Sequence, residues 1–504
     1  MRNISRALCR ALPVVFLFSA VAAADPYGEP FQANTFVSGN QTLASAAAGA
    51  NGDSVLLWTD GARGGAGFIR RYDAAGRALH TEEWFVGFDV IDVAVSGTGS
   101  YAVLRSAPDG SGRGVFAAVY NRAGSVIVPE FRVNDATAGD QSGRAIAMNA
   151  NGQFAVAWSQ PASFGRDIFV KRFQANGAPV APAQLVRTTP ASSIMTDVAI
   201  DATGNFVVTW DELVTPNTDN YEVFARRYAS SGFALAPGFR VNTSSTSIQV
   251  SARIAMNPTG AFTIVWDSWG GSSWSVRGQR FSAGGFPLGT EFQANVQSTA
   301  SQGASGVAMA SNGSFMVTWT EDNLSIDPAA PVQVLARSYG ANGVASGPPV
   351  VVDASAPGIR SLNAQIAMDP DGNSIVGWWR YDPASAQIDV YARRHLPVGA
   401  TAQALANPGL ASDLSGAAGS WQYFKITVPA GHATLDVAIF GGLGDADLYV
   451  RFGALPTLSR WDGRPFLDGS NESVRMQNWP AGDWYIGIQG FSSYSGLGLQ
   501  DGSF

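Results

Sequence analysis

A glycine followed six residues later by a large side chain recurs seven times along the chain, and this repeat restricts the possible folds more than any other feature. The large residue is tryptophan in six of the seven repeats, and an alanine stands five residues before each glycine. A period of roughly 50 residues is typical of solenoids, arrays and propellers. The seven pairs are Gly52 and Trp58, Gly99 and Arg105, Gly152 and Trp158, Gly204 and Trp210, Gly260 and Trp266, Gly313 and Trp319, and Gly372 and Trp378.

Each repeat predicts four antiparallel strands. In the fifth repeat, alternating apolar residues on both sides of the turn Asn257–Gly260 predict a hairpin, and two further strands follow. No helical periodicity separates these strands, so a seven-bladed β-propeller over residues 25–400 fits better than a sandwich, a β-helix or a leucine-rich horseshoe. Phe31–Asn34 is a strand of the fourth type, whereas the last repeat has none of its own. We therefore expect the N-terminal strand to complete the seventh blade and close the ring.

Other recurrent side chains have structural explanations. We expect each tryptophan to fill the wedge between neighbouring blades and each alanine to lie where the innermost strands crowd the axis. An arginine also recurs on the third strand, where a structural hydrogen bond or stacking on an aromatic ring would explain it. The arginines of this set are Arg71, Arg172, Arg227, Arg280 and Arg394.

The first 24 residues have the composition of an export signal, with arginines before an apolar run and alanines at residues 22–24. This pattern predicts a secreted protein, extracellular or, in a Gram-negative host, periplasmic. The single cysteine, Cys9, lies within the signal, so the exported chain would have no disulfide or thiolate metal site. The net charge of −7 argues against nucleic acid as a partner. No later segment has the ~18 apolar residues of a membrane span, and we expect a monomer.

A different module follows an alanine-rich linker at residues 401–410. Residues 411–504 contain the segments WQYFKITVPAG (421–431), GDADLYV (444–450) and PAGDWYIGIQGFSSYSG (480–496), and they resemble the bacterial pre-peptidase C-terminal domain. The resemblance implies a small jelly-roll β-sandwich, found beside the catalytic domains of secreted peptidases and often removed after export. It also implies calcium or matrix binding, as in collagenase relatives. The cysteine usual in a loop of this family is missing.

Catalytic motifs are absent from the sequence. There is no HExxH, GxSxG, P-loop or CxxC pattern, and the three histidines are far apart. We therefore predict no catalytic residues, although paired carboxylates alone can cleave glycosides. Asp92 and Asp197 are the acids to consider, because both stand two residues before a recurrent alanine, near the predicted axis. Alternatively, they are solvent-facing acids at the start of a strand.

The only cofactor we consider is calcium, since oxygen ligands are plentiful in turns. Its candidate ligands lie in the C-terminal module and could alternatively cap and pin loops: Asp445, Asp447, Asn471 and Glu472. Aromatic residues are the candidate ligand-binding residues, because exposed rings can stack on sugars or dock a partner. Trp269 and Trp274 are predicted in a loop of the fifth blade, where they could instead fold inward. The C-terminal module adds Trp461, Trp479, Phe491 and Tyr494.

These features favour a secreted, non-catalytic binding or adhesion protein, with the propeller as an interaction platform and the C-terminal module serving substrate binding or secretion. Expected partners are extracellular polysaccharide, matrix or a cell-surface protein. One alternative is an extracellular glycosidase that uses propeller carboxylates. Another is an accessory part of a secreted peptidase system.

Overall fold

The computed structural model describes residues 26–503 apart from short gaps at 74–75, 77, 81–83, 164, 190–195, 215–219, 245–247, 297–299, 323–331, 354–355, 357, 398–401, 433, 459 and 466. The predicted signal peptide, residues 1–24, lies outside the described residues. Within the described ranges, no helix has the length and apolarity needed to cross a bilayer.

Residues 26–395 form 28 strands in the part of the chain that is described. They are β1 (Pro26–Gln32), β2 (Gln41–Ala48), β3 (Ser54–Asp60), β4 (Ala66–Tyr72), β5 (Trp84–Phe88), β6 (Val90–Val95), β7 (Tyr101–Pro108), β8 (Arg113–Tyr120), β9 (Val126–Arg132), β10 (Ser142–Met148), β11 (Phe154–Pro161), β12 (Arg166–Phe173), β13 (Gln184–Thr189), β14 (Thr196–Ile200), β15 (Phe206–Leu213), β16 (Tyr221–Tyr228), β17 (Phe239–Arg240), β18 (Gln249–Met256), β19 (Phe262–Trp269), β20 (Trp274–Phe281), β21 (Phe292–Gln293), β22 (Ser301–Met309), β23 (Phe315–Asp322), β24 (Gln333–Tyr339), β25 (Val350–Asp353), β26 (Arg360–Met368), β27 (Ser374–Asp382) and β28 (Gln387–His395).

The strands form a seven-bladed ring, as predicted. Blade 1 is the sheet β2-β3-β4-β5, and blades 2 to 6 repeat this order along the chain through β25. Blade 7 has the order β26-β27-β28-β1, so the N-terminal strand supplies its outer edge. The innermost strands of successive blades pack against each other, and β26 of the last blade contacts β2 of the first. The predicted closure of the ring is therefore confirmed.

The recurrent glycine lies in the turn between the first two strands of each blade. Gly204, for example, has a φ of 88°, a left-handed conformation in which a side chain would be strained. The side chain of the first turn residue fixes the hairpin: Asp201 Oδ1 accepts hydrogen bonds from the backbone N–H groups of Thr203 and Asn205, both at 2.8 Å. Asn149, Asn257 and Asp369 bond in the same way in their own turns.

The recurrent tryptophans are buried between blades. Trp210 packs in one apolar cluster with Ala157 of blade 3 and Val208 of its own blade 4. The other five occupy equivalent clusters against the preceding blade, with Trp58 joining blade 1 to blade 7. Arg105 stands at this position in blade 2 and forms an ion pair with Glu130. The predicted wedge role of the tryptophans is thus confirmed.

The third-strand arginines bind the next blade. Each donates a hydrogen bond to a backbone carbonyl in the turn between the third and fourth strands of the following blade. In the closing contact, Arg394 of blade 7 reaches the Asp73 carbonyl of blade 1 at 3.2 Å. The others are Arg71 to Arg122, Arg172 to Ser230, Arg227 to Gly284 and Arg280 to Asn342.

An asparagine fastens the outer strand of several blades, a pattern that sequence reasoning missed. Asn134 Oδ1 accepts from the backbone N–H of Val115 at 2.8 Å, and Asn242 and Asn295 act in the same way in blades 4 and 5. In blade 7 this asparagine is Asn34, which accepts from the N–H of Val390 at 2.8 Å although 356 positions separate the two residues. A glutamine stands seven residues after each of these asparagines, and this spacing is the sequence pattern that could have identified them.

The described part of the C-terminal residues contains the strands β29 (Ala402–Ala404), β30 (Gly409–Gly416), β31 (Trp421–Val428), β32 (Thr434–Leu443), β33 (Ala446–Phe452), β34 (Glu472–Gln477), β35 (Gly482–Gly490) and β36 (Tyr494–Ser503). They form a sandwich of two four-stranded sheets, β29-β31-β35-β33 and β30-β36-β32-β34. Its apolar core lies between the sheets, as expected of a β-sandwich. Two of these strands, β29 and the start of β30, lie within the predicted linker 401–410.

The sandwich packs on the turn side of blade 7. Arg460 of the sandwich pairs with Asp369 and Asp371 of the blade 7 turn at 3.1 and 3.3 Å. Beside this ion pair, Leu396 packs in one buried apolar cluster with Leu455 and Tyr485. The end of the blades where the second strand leads into the third lies opposite this contact.

Candidate functional site

The innermost strands of the propeller line a central channel with a volume of about 560 Å³. Most of the side chains that line it are aliphatic, and the recurrent alanines are among them. Polar side chains interrupt this lining at a few places, including Asp92, Asp197, Arg144 and Arg253. The two predicted acids therefore lie at the axis, and both are half-buried rather than fully solvent-facing.

Asp92 connects three blades. Its Oδ1 accepts hydrogen bonds from Ser45 Oγ of blade 1 at 2.5 Å and from its neighbour Val93 N at 2.8 Å. Its Oδ2 accepts from the backbone N–H of Ile146 in blade 3 at 2.8 Å. Burial raises the pKa of Asp92 to about 6, and the hydrogen bonds oppose part of that rise. Both carboxylate oxygens are thus used to join inner strands.

Asp197 repeats this arrangement two blades further on. Its Oδ1 accepts from Val198 N at 2.8 Å, and its Oδ2 accepts from the backbone N–H of Ile254 in blade 5 at 3.0 Å. Burial raises the pKa of Asp197, whereas the positive charge of Arg253 lowers it. Because both acids bond to the backbone of the next blade, they are better explained as inter-blade fasteners than as a catalytic pair.

Trp269 and Trp274 form a ring pair on the face of the propeller opposite the glycine turns. The two residues end β19 and begin β20 and pair directly across these strands, so they belong to strands and not to a loop as predicted. Their ring centroids are 5.4 Å apart with the planes at 55°. Both are half-buried, which leaves ring surface facing solvent. They could therefore contact a ligand at this face.

The candidate calcium ligands are already bonded within the sandwich. Glu472 is buried, and its two oxygens accept from the backbone N–H groups of Leu448 at 2.5 Å and Leu467 at 3.0 Å. Burial raises the pKa of Glu472, and these bonds lower it. Asp447 pairs with Arg464 at 2.9 Å.

The other two candidates hold loops in place. Asp445 Oδ1 accepts from Gly469 N at 3.2 Å, and Asn471 Oδ1 accepts from Gly441 N at 2.9 Å. Among the described residues, no three His, Cys, Asp or Glu side chains form a group suited to a metal ion. The geometry thus favours loop pinning, the alternative explanation, and calcium binding stays a prediction.

The sandwich aromatics differ in their availability to a ligand. Phe491 is 72% exposed and Trp461 is 37% exposed, so both present ring surface. Trp479 is half-buried and packs edge-on against Trp484 at 5.2 Å. Tyr494 is a correction to the predicted set: it is only 3% exposed and belongs to the sandwich core. Its ring therefore stabilises the module and is not available to a partner.

Comparison with known proteins gives a match for part of the sandwich. Residues 422–490 match the family model of the bacterial pre-peptidase C-terminal domain. A segment of 89 residues is 48% identical to alkaline serine exoprotease A of Vibrio alginolyticus and covers 18% of this chain and 16% of that protein. Another of 96 residues is 39% identical to an extracellular protease of Xanthomonas campestris pv. campestris and covers 19% and 16%. The chain thus spans about a sixth of these relatives.

Among solved structures, a PL25 ulvan lyase has a TM-score of 0.45 and 10% identity, covering 72% of this chain and 95% of that chain. A likeness this weak has no bearing on function. The sequence match to the sandwich is of a different kind, since it combines a family model with relatives at 39–48% identity. Residues 422–490 therefore belong to the bacterial pre-peptidase C-terminal domain family.

Proposed function

We propose that this protein is a secreted, non-catalytic binding protein whose propeller presents a ligand face and whose C-terminal domain serves as a second attachment or secretion module. The signal-like N-terminus and a domain shared with an extracellular protease support export. Partners of this kind would be extracellular polysaccharide, matrix or a cell-surface protein.

The observation that carries the proposal is the position of the Trp269 and Trp274 pair. These rings keep ring surface at the propeller face away from the sandwich, although the repeat tryptophans are buried. At the axis, Asp92 and Asp197 bond to the backbone of neighbouring blades. The propeller thus has an aromatic surface suited to binding, whereas its channel acids have a structural role.

The test is sedimentation of the purified full chain with insoluble chitin, cellulose, peptidoglycan and collagen. We expect at least one of these materials to retain the protein, and the double variant Trp269→Ala, Trp274→Ala to reduce retention about tenfold or more. Phe286→Ala is the matched control, because Phe286 is 73% exposed at the opposite end of blade 5. Equal retention of both variants would contradict the role of the tryptophan pair.

A glycosidase remains the second candidate, because one observation favours it. The pKa of Asp92 is raised to about 6 in the channel, a range suited to a general acid. If this acid were catalytic, Asp92→Asn would abolish release of reducing sugar from a polysaccharide while the melting temperature stayed high. The non-catalytic proposal predicts no release by the parent protein.

A further inference from the structure

His395 takes the place of an aromatic residue that recurs at the end of the third strand. In blades 2 to 6 this residue stacks on an aromatic residue opposite it at the start of the second strand, with ring centroids 4.7 to 5.1 Å apart. In blade 7 the two residues are His395 and Ser374. A ring that can gain a positive charge therefore stands where five blades have an uncharged ring. The five stacked pairs are Tyr101 and Tyr120, Phe154 and Phe173, Phe206 and Tyr228, Phe262 and Phe281, and Phe315 and Tyr339.

The imidazole of His395 is buried without a hydrogen bond. The residue is 0% exposed, and neither Nδ1 nor Nε2 has a hydrogen-bond partner among the described atoms. The hydroxyl of Ser374, which lies opposite, donates instead to Met316 Sδ at 3.8 Å. In a neutral imidazole one nitrogen is a donor and the other is an acceptor, so two buried polar groups are left unsatisfied. A phenylalanine would avoid this cost, so packing alone does not explain a histidine here.

The surroundings of His395 also disfavour a positive charge. Burial, and then the positive charge of Arg393, lower the pKa of His395 from 6.5 to about 3. Arg393 is the charged group that acts on the imidazole among the described residues. On the two paired strands, the residues opposite His395 are Ser374 of β27 and Pro26 of β1, and neither carries a charge. Arg394, the preceding residue of β28, bonds to the Asp73 carbonyl of blade 1.

His395 lies where three parts of the chain meet. It pairs with Pro26 of β1, the strand that closes the ring. The next residue, Leu396, packs with Leu455 and Tyr485 of the sandwich in one buried apolar cluster. These neighbours are uncharged at acid pH and cannot compensate a buried imidazolium. A charge at this position would therefore disturb both the closing strand and the contact with the sandwich.

We propose that His395 makes the closure of the ring sensitive to acid, so that β1 separates from the end of β28 when the imidazole is protonated. In the open form the imidazole meets water and binds a proton with its ordinary affinity. The contribution of the neutral imidazole to closure is complete above pH 6.5 and is lost as the pH falls from 6.5 through 3. Across this range, the ratio of open to closed molecules rises up to about tenfold for each pH unit. Acid would thus loosen the junction between the propeller and the C-terminal domain.

The test is hydrogen exchange of the full chain, followed by mass spectrometry at pH 4 and pH 6 and corrected for the intrinsic pH dependence of amide exchange. We expect the open form that exposes the amides of β1 and the end of β28 to be roughly 50- to 100-fold more populated at pH 4. Strands β19 and β20 of blade 5 are the internal control, because Phe262 and Phe281 stack at the equivalent position. Their exchange should show no such rise.

Variants isolate the imidazole. His395→Phe gives blade 7 an uncharged ring like those of blades 2 to 6, and His395→Gln keeps a polar side chain that does not titrate. In both, we expect the protection of β1 to be the same at the two pH values. Asp369, the acid of the blade 7 turn, titrates in parent and variants alike, so the comparison cancels its effect. His432→Gln, at a half-buried histidine of the sandwich, is the matched control and should keep the pH dependence of the parent.

Two results would overturn the proposal. One is equal protection of β1 at pH 4 and pH 6 in the parent. The other is an acid-induced rise in the exchange of β1 that persists in His395→Phe and His395→Gln, since the sensitivity would then lie elsewhere. Melting temperatures at pH 7 show whether each variant folds, and either variant alone is sufficient for the comparison. Both results would leave the binding function intact, because the tryptophan pair belongs to blade 5.

Discussion

Tryptophan residues of the propeller occupy two different environments, and the position of each tryptophan relative to the recurrent glycine distinguishes them. Trp210 is 2% exposed in the cluster between blades 3 and 4, and its Nε1 donates to Glu212 at 3.2 Å. Trp269, at the end of β19, is half-buried against Trp274 alone among the described rings. The register of a tryptophan therefore predicts whether it is core or surface.

Trp210→Ala should lower the free energy of unfolding by roughly 3 to 5 kcal/mol, the usual cost of truncating a large buried aromatic side chain. Trp269→Ala should be near neutral, because its ring lies at the surface. Denaturant unfolding of both variants measures the difference. Similar losses at the two positions would show that the ring of Trp269 is also core.

The charge of Asp92 should make stability depend on pH. Burial raises the folded-state pKa of Asp92 to about 6 from its ordinary 3.8, so the protonated form favours the folded state. The protonated carboxyl contributes to the free energy of unfolding in full below pH 3.8. This contribution is lost as the pH rises through 6, a change on the order of 3 kcal/mol. Between pH 4 and 7, the parent should therefore lose stability relative to Asp92→Asn. A constant difference between the two proteins would refute the raised pKa.

Calcium binding in the sandwich can be separated from loop pinning. If Asp445, Asp447, Asn471 and Glu472 only pin loops, the melting temperature should be the same with calcium and with chelator. Glu472→Ala should still cost about 1 to 3 kcal/mol, because it leaves the N–H group of the buried Leu448 without its acceptor. A melting temperature that rises with calcium, and no longer rises in Asp447→Asn, would establish the ion site.

At the scale of strands and blades, the sequence predicts what repeats and misses what is particular to one blade. The seven glycine turns, the buried tryptophans and the closing strand all follow from the register. Trp269 and Trp274 are predicted in a loop, but they belong to β19 and β20 and pair directly across these strands, and the ring pair itself is particular to this blade. Repetition cannot predict a feature that occurs in only one blade.

Sequence reasoning misses, for a related reason, a cavity of about 300 Å³ beside Trp274 that has Asp267 and Asp322 in its lining. Asp267 follows directly after the recurrent Trp266, and Asp322 stands three residues after Trp319. An acid soon after a repeat tryptophan is thus a local signal for the end of the second strand. Only the ring geometry brings acids of two blades together, since 55 positions separate them along the chain.

Asn34 allows a test of the closing strand by a single substitution. Asn34→Ala leaves the buried N–H of Val390 without its acceptor, so it should cost about 1 to 3 kcal/mol of unfolding free energy. Asn295→Ala, which removes the same bond inside blade 5, is the matched comparison and should cost a similar amount. If Asn34→Ala is neutral while Asn295→Ala is not, β1 does not hold blade 7.

The two faces of the propeller differ in what they carry. The glycine-turn side of blade 7 contacts the C-terminal domain through Arg460 and the cluster of Leu396, Leu455 and Tyr485. The other face carries the tryptophan pair, at the opposite end of the blades from that contact. If the proposed binding function is correct, this arrangement lets the face of Trp269 and Trp274 meet a partner while the C-terminal domain stays in contact with blade 7.

The distinction between binding and catalysis is tested most directly by following both in one sample. The full chain is incubated with a retained polysaccharide, and bound protein and released sugar are measured together. We predict saturable retention that falls in the Trp269→Ala, Trp274→Ala variant, with the polysaccharide recovered intact. Release of sugar by the parent, abolished by Asp92→Asn or Asp197→Asn, would contradict a non-catalytic function.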